Sequence, residues 1–214
     1  IYSISTSGLL KSVKFNNNIS KYNLVIICTG YKSSLIKSIF NNEMIENSYK
    51  ESAVTAILNH SSSKNNIVRQ IFLKNAIFAL LPISNTKTSI VWSVKHDMLK
   101  KNDLFLKKRI ILYTKNYLKN VKFTTNLEYK DLNFLIRNKY YLDRILLFGD
   151  ALHMLHPFVG QGFNMTLRDL ASLEKIFTQK INLGLDIGSS DILSEFSSEI
   201  KPRNFAFSIG IDFI

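Results

Sequence analysis

A single cysteine, Cys28, stands in the whole chain, so no intrachain disulfide can form, a usage that fits a reducing compartment. No run of 18 or more apolar residues occurs, and no transmembrane helix is predicted. Gly-x-Gly-x-x-Gly is missing too: Gly160 and Gly162 are followed by Met165 where a dinucleotide fingerprint needs its third glycine. Without a Gly-x-Ser-x-Gly elbow, serine-hydrolase chemistry is disfavoured. There is no internal repeat. His60 and His96 stand alone, and although Asp150, His153 and His156 recur at three-residue spacing, Pro157 breaks any helix that would align them, so no metal site is expected. Acidic residues are outnumbered, 16 against 28 Lys and Arg, for a net charge of +12. The lysines are spread among Asn and Ile rather than clustered, which argues against nucleic acid and leaves an anionic lipid surface as the better-suited partner.

What is present is a globular composition, 46% hydrophobic and 21% charged over 214 residues, enough for one or two domains with a core. Its most informative stretch begins at Arg144. Ile145 to Phe148 is a short apolar run, read as a buried strand. Gly149-Asp150 ends it with a backbone able to approach a ligand and a carboxylate at the strand's end. Pro157 fixes a turn, and Gly160-Gln161-Gly162 opens a helix whose apolar stripe is expected to run through Phe163, Leu167, Leu170, Leu173 and Phe177. A carboxylate can hold ribose or ribityl hydroxyls, and unpaired N–H groups at a helix start can hold an electron-rich oxygen or a phosphate. Together they suggest half of a nucleotide or flavin site.

The pattern Gly149-Asp-Ala-x-His-x-x-x-Pro-x-x-Gly-Gln-Gly-x-Asn-x-x-x-Arg-Asp169 resembles the second FAD-binding motif of the single-component flavoprotein aromatic hydroxylases, and within them the UbiH-like ubiquinone-biosynthesis hydroxylases. The resemblance implies FAD as cofactor, with Gly149, Asp150, Pro157, Gly160, Gln161, Gly162 and Asn164 as its binding residues, and no assignable side-chain catalytic base. Asp150 would accept from ribityl or ribose hydroxyls, the N–H groups at Gly160 to Gly162 would face the flavin ring, and Arg168 and Asp169 would make structural contacts. It implies a monooxygenase that hydroxylates the ring of a prenylated aromatic quinone precursor, drawing electrons from NAD(P)H or a protein donor. Other ubiquinone-synthesis proteins are implied partners, in a cytoplasmic location with peripheral contact at the inner membrane. The chain opens on Ile1 and carries no first Rossmann-type unit, so it is expected to be a C-terminal fragment, inactive alone. Near Gly30 and Ser33, Thr29 stands where the family has aspartate and Ile36 where it has arginine. Two alternatives remain open at this point: a non-catalytic accessory flavoprotein, or another flavin oxidoreductase of the same fold.

The expected fold is α/β with α+β elements, a para-hydroxybenzoate-hydroxylase-like arrangement in which an antiparallel substrate sheet is inserted into a Rossmann-like FAD domain. Residues 1–45 and 141–214 are assigned to the FAD-binding domain and 46–140 to the substrate domain. Asn16 to Asn18 should be a hairpin turn, Asn23 to Gly30 a buried strand and Ser33 to Phe40 a short helix. Glu51 to Asn59, Val68 to Lys74, Ala76 to Ile83 and Thr88 to Lys95 form a predicted meander of β-branched and aromatic strands. Trp92 is expected in its core. Asp97 to Asn120 should be one helix with the stripe Leu106, Ile110, Tyr113 and Tyr117, its lysines solvated or lipid-facing, and Asp191 should begin a last helix.

Overall fold

The computed structural model describes residues 3–16, 18–30, 32–40, 44–74, 76–155 and 161–212. The chain forms two compact units, one of residues 1–47 and 133–214 and one of residues 48–132. It passes from one to the other within strand β5 (Met44–Asn59) and again within β10 (Glu128–Arg137).

In the first unit, β1 (Ser3–Ser7), β2 (Leu10–Phe15) and β3 (Asn18–Tyr22) form an antiparallel sheet. Its turns sit at Gly8 and Asn16, both with positive φ, a conformation open to glycine and tolerated by asparagine. A second sheet has the order β11 (Tyr141–Leu142), β12 (Ile145–Leu147), β4 (Val25–Ile27). β12 runs parallel to β4 with Leu146 opposite Ile26, and antiparallel to β11. The Asn23 to Gly30 run was expected to be buried throughout; the strand covers only Val25–Ile27, and Ile26 and Cys28 are exposed. β4 is an edge strand whose Ile27 face alone meets the core, so alternate side chains point outward. That core joins Ile36 of α1 (Ser34–Ile39), the β12 residues, Leu173 and Ile176 of α4 (Gln161–Asn182), and Phe196 and Ile200 of α5 (Ser190–Asp212).

The apolar stripe predicted for α4 holds at Leu173 and Phe177, which join the core, and is corrected at its first three positions. Phe163 is 70% exposed, and Leu167 and Leu170 are about half exposed. The buried positions are Met165, Asp169, Ser172, Leu173 and Ile176, at helical spacing but on a face rotated from the predicted one. α4 ends in a Schellman motif: Gly184, at positive φ, donates to Ile181 O at 2.9 Å and Leu185 to Lys180 O at 3.0 Å. Asp186 then takes 2.6 Å and 3.0 Å bonds from Arg144 and the Gly188 amide, while Arg144 also donates to Asn23 O, which fastens this loop beside β4. The Arg144 guanidinium, with the Gly188 amide second, holds the Asp186 carboxyl below the usual carboxylate range.

The second unit is a sheet in which β10, β5, β8 (Lys87–Lys95), β7 (Ala76–Ser84) and β6 (Arg69–Leu73) are neighbours in that order, with β9 (Lys122–Phe123) pairing β5. Thr88, Ile90, Trp92 and Val94 alternate inward from β8, the period-2 pattern of a strand covered on one face. Leu106 and Ile110 of α3 (Asp103–Thr114) belong to the same cluster. The helix expected over Asp97 to Asn120 is divided: α2 (His96–Leu99) stops, and Asn102 caps a new helix by accepting from the Phe105 amide at 2.9 Å. Tyr117 therefore lies beyond α3 and is partly exposed beneath the Arg69 guanidinium. The basic excess is not evenly spread. Residues 48–132 hold 15 Lys and Arg against 5 Asp and Glu, while the rest of the chain holds 13 against 11.

Two consequences follow for stability. Trp92 is buried edge-on against Phe78 and Tyr113, but its indole N–H finds no acceptor among the described residues. Trp92→Phe should therefore cost under about 1.5 kcal/mol and Trp92→Ala about 3–5 kcal/mol in denaturant titrations. A Cβ on Gly188 would overlap the Asn23 carbonyl. Gly188→Ala should lower stability by about 1–3 kcal/mol or more by the same measurement, because backbone rather than a flexible side chain must move.

Candidate functional site

The site grows from the end of β12. All three of its residues are buried, and Phe148 continues the ladder by donating to Ile27 O at 3.0 Å. Gly149 then turns the chain at φ +62, which only glycine adopts without strain, into a single 3-10 turn over Gly149–Ala151. Leu152 N closes that turn on Gly149 O at 2.8 Å. Within it, Gly149 and Ala151 are buried and Asp150 is exposed, so the one carboxylate of the turn is presented outward.

A buried arginine holds the turn from behind. Arg137, the last residue of β10, donates from Nε to Ala151 O at 2.7 Å, and its amide donates to Leu152 O at 3.1 Å. Burial lowers its guanidinium pKa, and the Glu46 carboxylate opposes that shift. No motif or spacing in the sequence singles out Arg137. The available signal was a charged residue closing an apolar run, which a solvated strand end would also produce.

After the turn, β13 (His153–Met154) pairs with β10, His153 opposite Ile136. His153 Nε2 lies 2.9 Å from Asp169 Oδ2, and both side chains are 1% exposed. The same carboxylate accepts from Asn204 at 2.9 Å and from Arg203 at 3.1 Å, both on α5. The histidine for which the sequence offered no partner is thus committed to a buried hydrogen bond across sixteen residues. Tyr140 faces this cluster, and burial, reinforced by the Asp169 carboxylate and opposed by Asn204, pushes its phenol up to about 12, so it stays neutral. Arg168, its neighbour on α4, lies over the Phe207 ring at 4.4 Å. One hydrogen bond therefore spans the segment between β13 and α4, joining the residues on either side of it.

Gly149 also faces α4 directly: a Cβ there would sit 3.7 Å from Thr166 Cγ2. The strand-end turn and the start of α4 are neighbours. Gly162 and Asn164 lie in the first turn of that helix, Asn164 exposed and Gly162 with open space where a side chain would project. No acidic residue occupies this first turn, so the positive end of the helix dipole carries no carboxylate of its own. Gln161 begins the helix, while Pro157, Gly160 and His156 lie outside the described residues. Of the expected binding residues, the structure thus brings Gly149, Asp150, Gly162 and Asn164 to one end of α4. An exposed carboxylate beside the N-terminal end of a long helix suits a ligand that carries both hydroxyls and an electron-rich edge, and a flavin nucleotide has that composition. Trp92, by contrast, is core. Among the described residues no group of three or more His, Cys, Asp or Glu side chains is placed to hold a metal ion.

The squalene epoxidase family model matches residues 21–209 of the chain. The chain is 25% identical over 249 residues to the mitochondrial ubiquinone biosynthesis monooxygenase COQ6 of Danio rerio, a match covering 99% of this chain and 51% of that protein. It is 29% identical over 168 residues to the ubiquinone hydroxylase UbiL of Rhodospirillum rubrum, covering 73% of this chain and 37% of the relative. Among solved structures, a Klebsiella pneumoniae HpxO variant complexed with FAD aligns with a TM-score of 0.73 at 15% identity, covering 97% of this chain and 56% of that one. The chain thus spans about half the length, or less, of the relatives it matches. The structural likeness establishes the fold, the para-hydroxybenzoate-hydroxylase-like one that the motif implied.

Asp169 is the stability test of this region. Asp169→Ala leaves buried His153 and Asn204 without their acceptor and should cost about 3–5 kcal/mol in denaturant unfolding, with Asp169→Asn costing less because it keeps an acceptor oxygen.

Proposed function

We propose, for a chain that belongs to the squalene epoxidase family, that it is part of an FAD-dependent monooxygenase hydroxylating the aromatic ring of a prenylated phenol in ubiquinone biosynthesis. The observation that carries this reading is the outward carboxylate of Asp150, on a positive-φ glycine turn that faces Thr166 near the start of α4. The names of the relatives, ubiquinone biosynthesis monooxygenase and ubiquinone hydroxylase, support the choice of reaction and substrate class.

In this reading a bound FAD supplies the oxygen-activating redox chemistry. Asp150 accepts hydrogen bonds from the ribityl or ribose hydroxyls, and Gly149 lets the backbone come close to them. The N–H groups at the start of α4, with the dipole of a 22-residue helix behind them, favour negative charge on the ligand's electron-rich edge. Asn164 offers an exposed amide to the same edge, and Pro157, Gly160 and Gln161 complete the proposed set of binding residues. Arg137 and the His153–Asp169 pair touch no ligand; they fix the turn and the strand that present Asp150. Flavin handling is assigned to residues 1–45 and 141–214 and substrate handling to the sheet region of 46–140. The reductant is NAD(P)H or a protein donor, and the protein works beside other ubiquinone-synthesis proteins with a peripheral contact at the inner membrane.

The test is the visible spectrum and FAD affinity of the full-length protein. Wild type should purify with a flavin spectrum, and Asp150→Ala should weaken FAD binding by about 10–100-fold, the loss of charge-assisted hydrogen bonds, with little change in melting temperature because Asp150 is exposed. A folded but colourless wild type that cannot be loaded with FAD would sink this reading.

A further inference from the structure

The basic excess concentrates in residues 48–132, and within them α3 turns an unusual face outward. Leu104, Lys108, Ile111 and Lys115 follow one another at spacings of four, three and four, a single ridge along the helix, with Leu112 on its flank. The opposite side, through Leu106 and Ile110, is locked in the sheet core, so the ridge cannot rotate inward. Leu104 is 61% exposed, Ile111 44% and Leu112 47%. Among the described residues no acidic side chain pairs with Lys108 or Lys115. The neighbouring cations are already engaged: Arg109 lies over the Phe105 ring and Lys107 over the Phe123 ring, both at 5.4 Å.

We propose that this ridge of α3 is the element that docks the protein on an anionic bilayer surface. Aliphatic tips between unpaired ammonium groups match a headgroup layer, where apolar ends sink towards the acyl boundary and lysines reach outward to phosphates. A nucleic acid would use the lysines but offers its phosphate backbone to polar and cationic groups, leaving three exposed aliphatic side chains without a role. The helix lies on the surface rather than crossing it. Its twelve residues extend about 18 Å, and no helix among the described residues is long and apolar enough to span. The inference rests on the peripheral contact proposed above and names the element that makes it.

The experiment is co-sedimentation of the full-length protein with phosphatidylcholine vesicles, with and without phosphatidylglycerol, at low and high salt. FAD absorbance is recorded in the same samples. Wild type should pellet only with the anionic vesicles and be released by salt. Lys108→Glu with Lys115→Glu should weaken binding by at least about 30-fold, and Leu104→Ser with Ile111→Ser should also weaken it, each with unchanged melting temperature. Lys64→Glu with Lys87→Glu makes the same charge change at exposed positions off the ridge and should bind like wild type. No pelleting by wild type, equal pelleting with neutral vesicles, equal losses in the ridge and control variants, or binding to RNA but not to vesicles would each overturn the proposal. A colourless protein whose vesicle binding depends on the ridge would remove the flavin reading and leave this one standing.

Discussion

A carboxylate removed from water must be fully partnered, and Asp169 meets that demand by drawing on two separate elements. His153 comes from β13, while Asn204 and Arg203 come from α5, and Asp169 itself stands in the third turn of α4. Each partner is fixed by the need to satisfy the same two oxygens, so the strand and the helices that flank the candidate site cannot shift independently. Arg137 applies a similar constraint from the other side, since its buried guanidinium has a carbonyl of the Gly149 turn as one acceptor. The exposed Asp150 is therefore carried on a turn with restrained ends, the condition under which a surface carboxylate can act as a precise acceptor rather than a solvated one.

The two units solve the burial problem differently. The unit of residues 1–47 and 133–214 covers short strands with long helices, and β12, beside both β4 and β11, is buried along its whole length. The unit of residues 48–132 covers one face of an antiparallel sheet, so its strands alternate and its helix α3 keeps an outward side. This unit holds 15 of the chain's 28 Lys and Arg against 5 of its 16 Asp and Glu. A chain average of +12 conceals this division, because charge counted along a sequence carries no information about which residues share a surface.

Much of the fold was legible in the residues. The four runs expected as a meander appeared within two residues of their observed ends, apart from β5, which begins at Met44, because β-branched alternation bounded by polar turns is a local signal; their order was not legible, since only β6, β7 and β8 are consecutive neighbours and β5 pairs with β8. The helix break at Lys100 to Asn102 was missed, although Asn102 is a good capping residue, since nothing local says that a helix of continuous propensity must restart there. The Gly149 turn was legible from glycine and aspartate at the end of an apolar run. Its supports were not. Arg137 is separated from Ala151 by fourteen residues and His153 from Asp169 by sixteen, and neither pairing has a period or a composition that marks it.

The sequence by itself determined the period of the β6, β7 and β8 strands, the glycine-dependent turn at the end of β12 and the resemblance that names a flavin cofactor. Those depend on a residue and its immediate neighbours, and the backbone preferences of glycine, asparagine and β-branched side chains act at that range. Tertiary structure alone decided which face of α4 is buried. Phe163, Leu167 and Leu170 offered as good a stripe as Met165, Asp169, Leu173 and Ile176, and the second won because Asp169 finds His153, Asn204 and Arg203 on that side. Burial is a property of what lies opposite, and what lies opposite is supplied by parts of the chain that no local window contains.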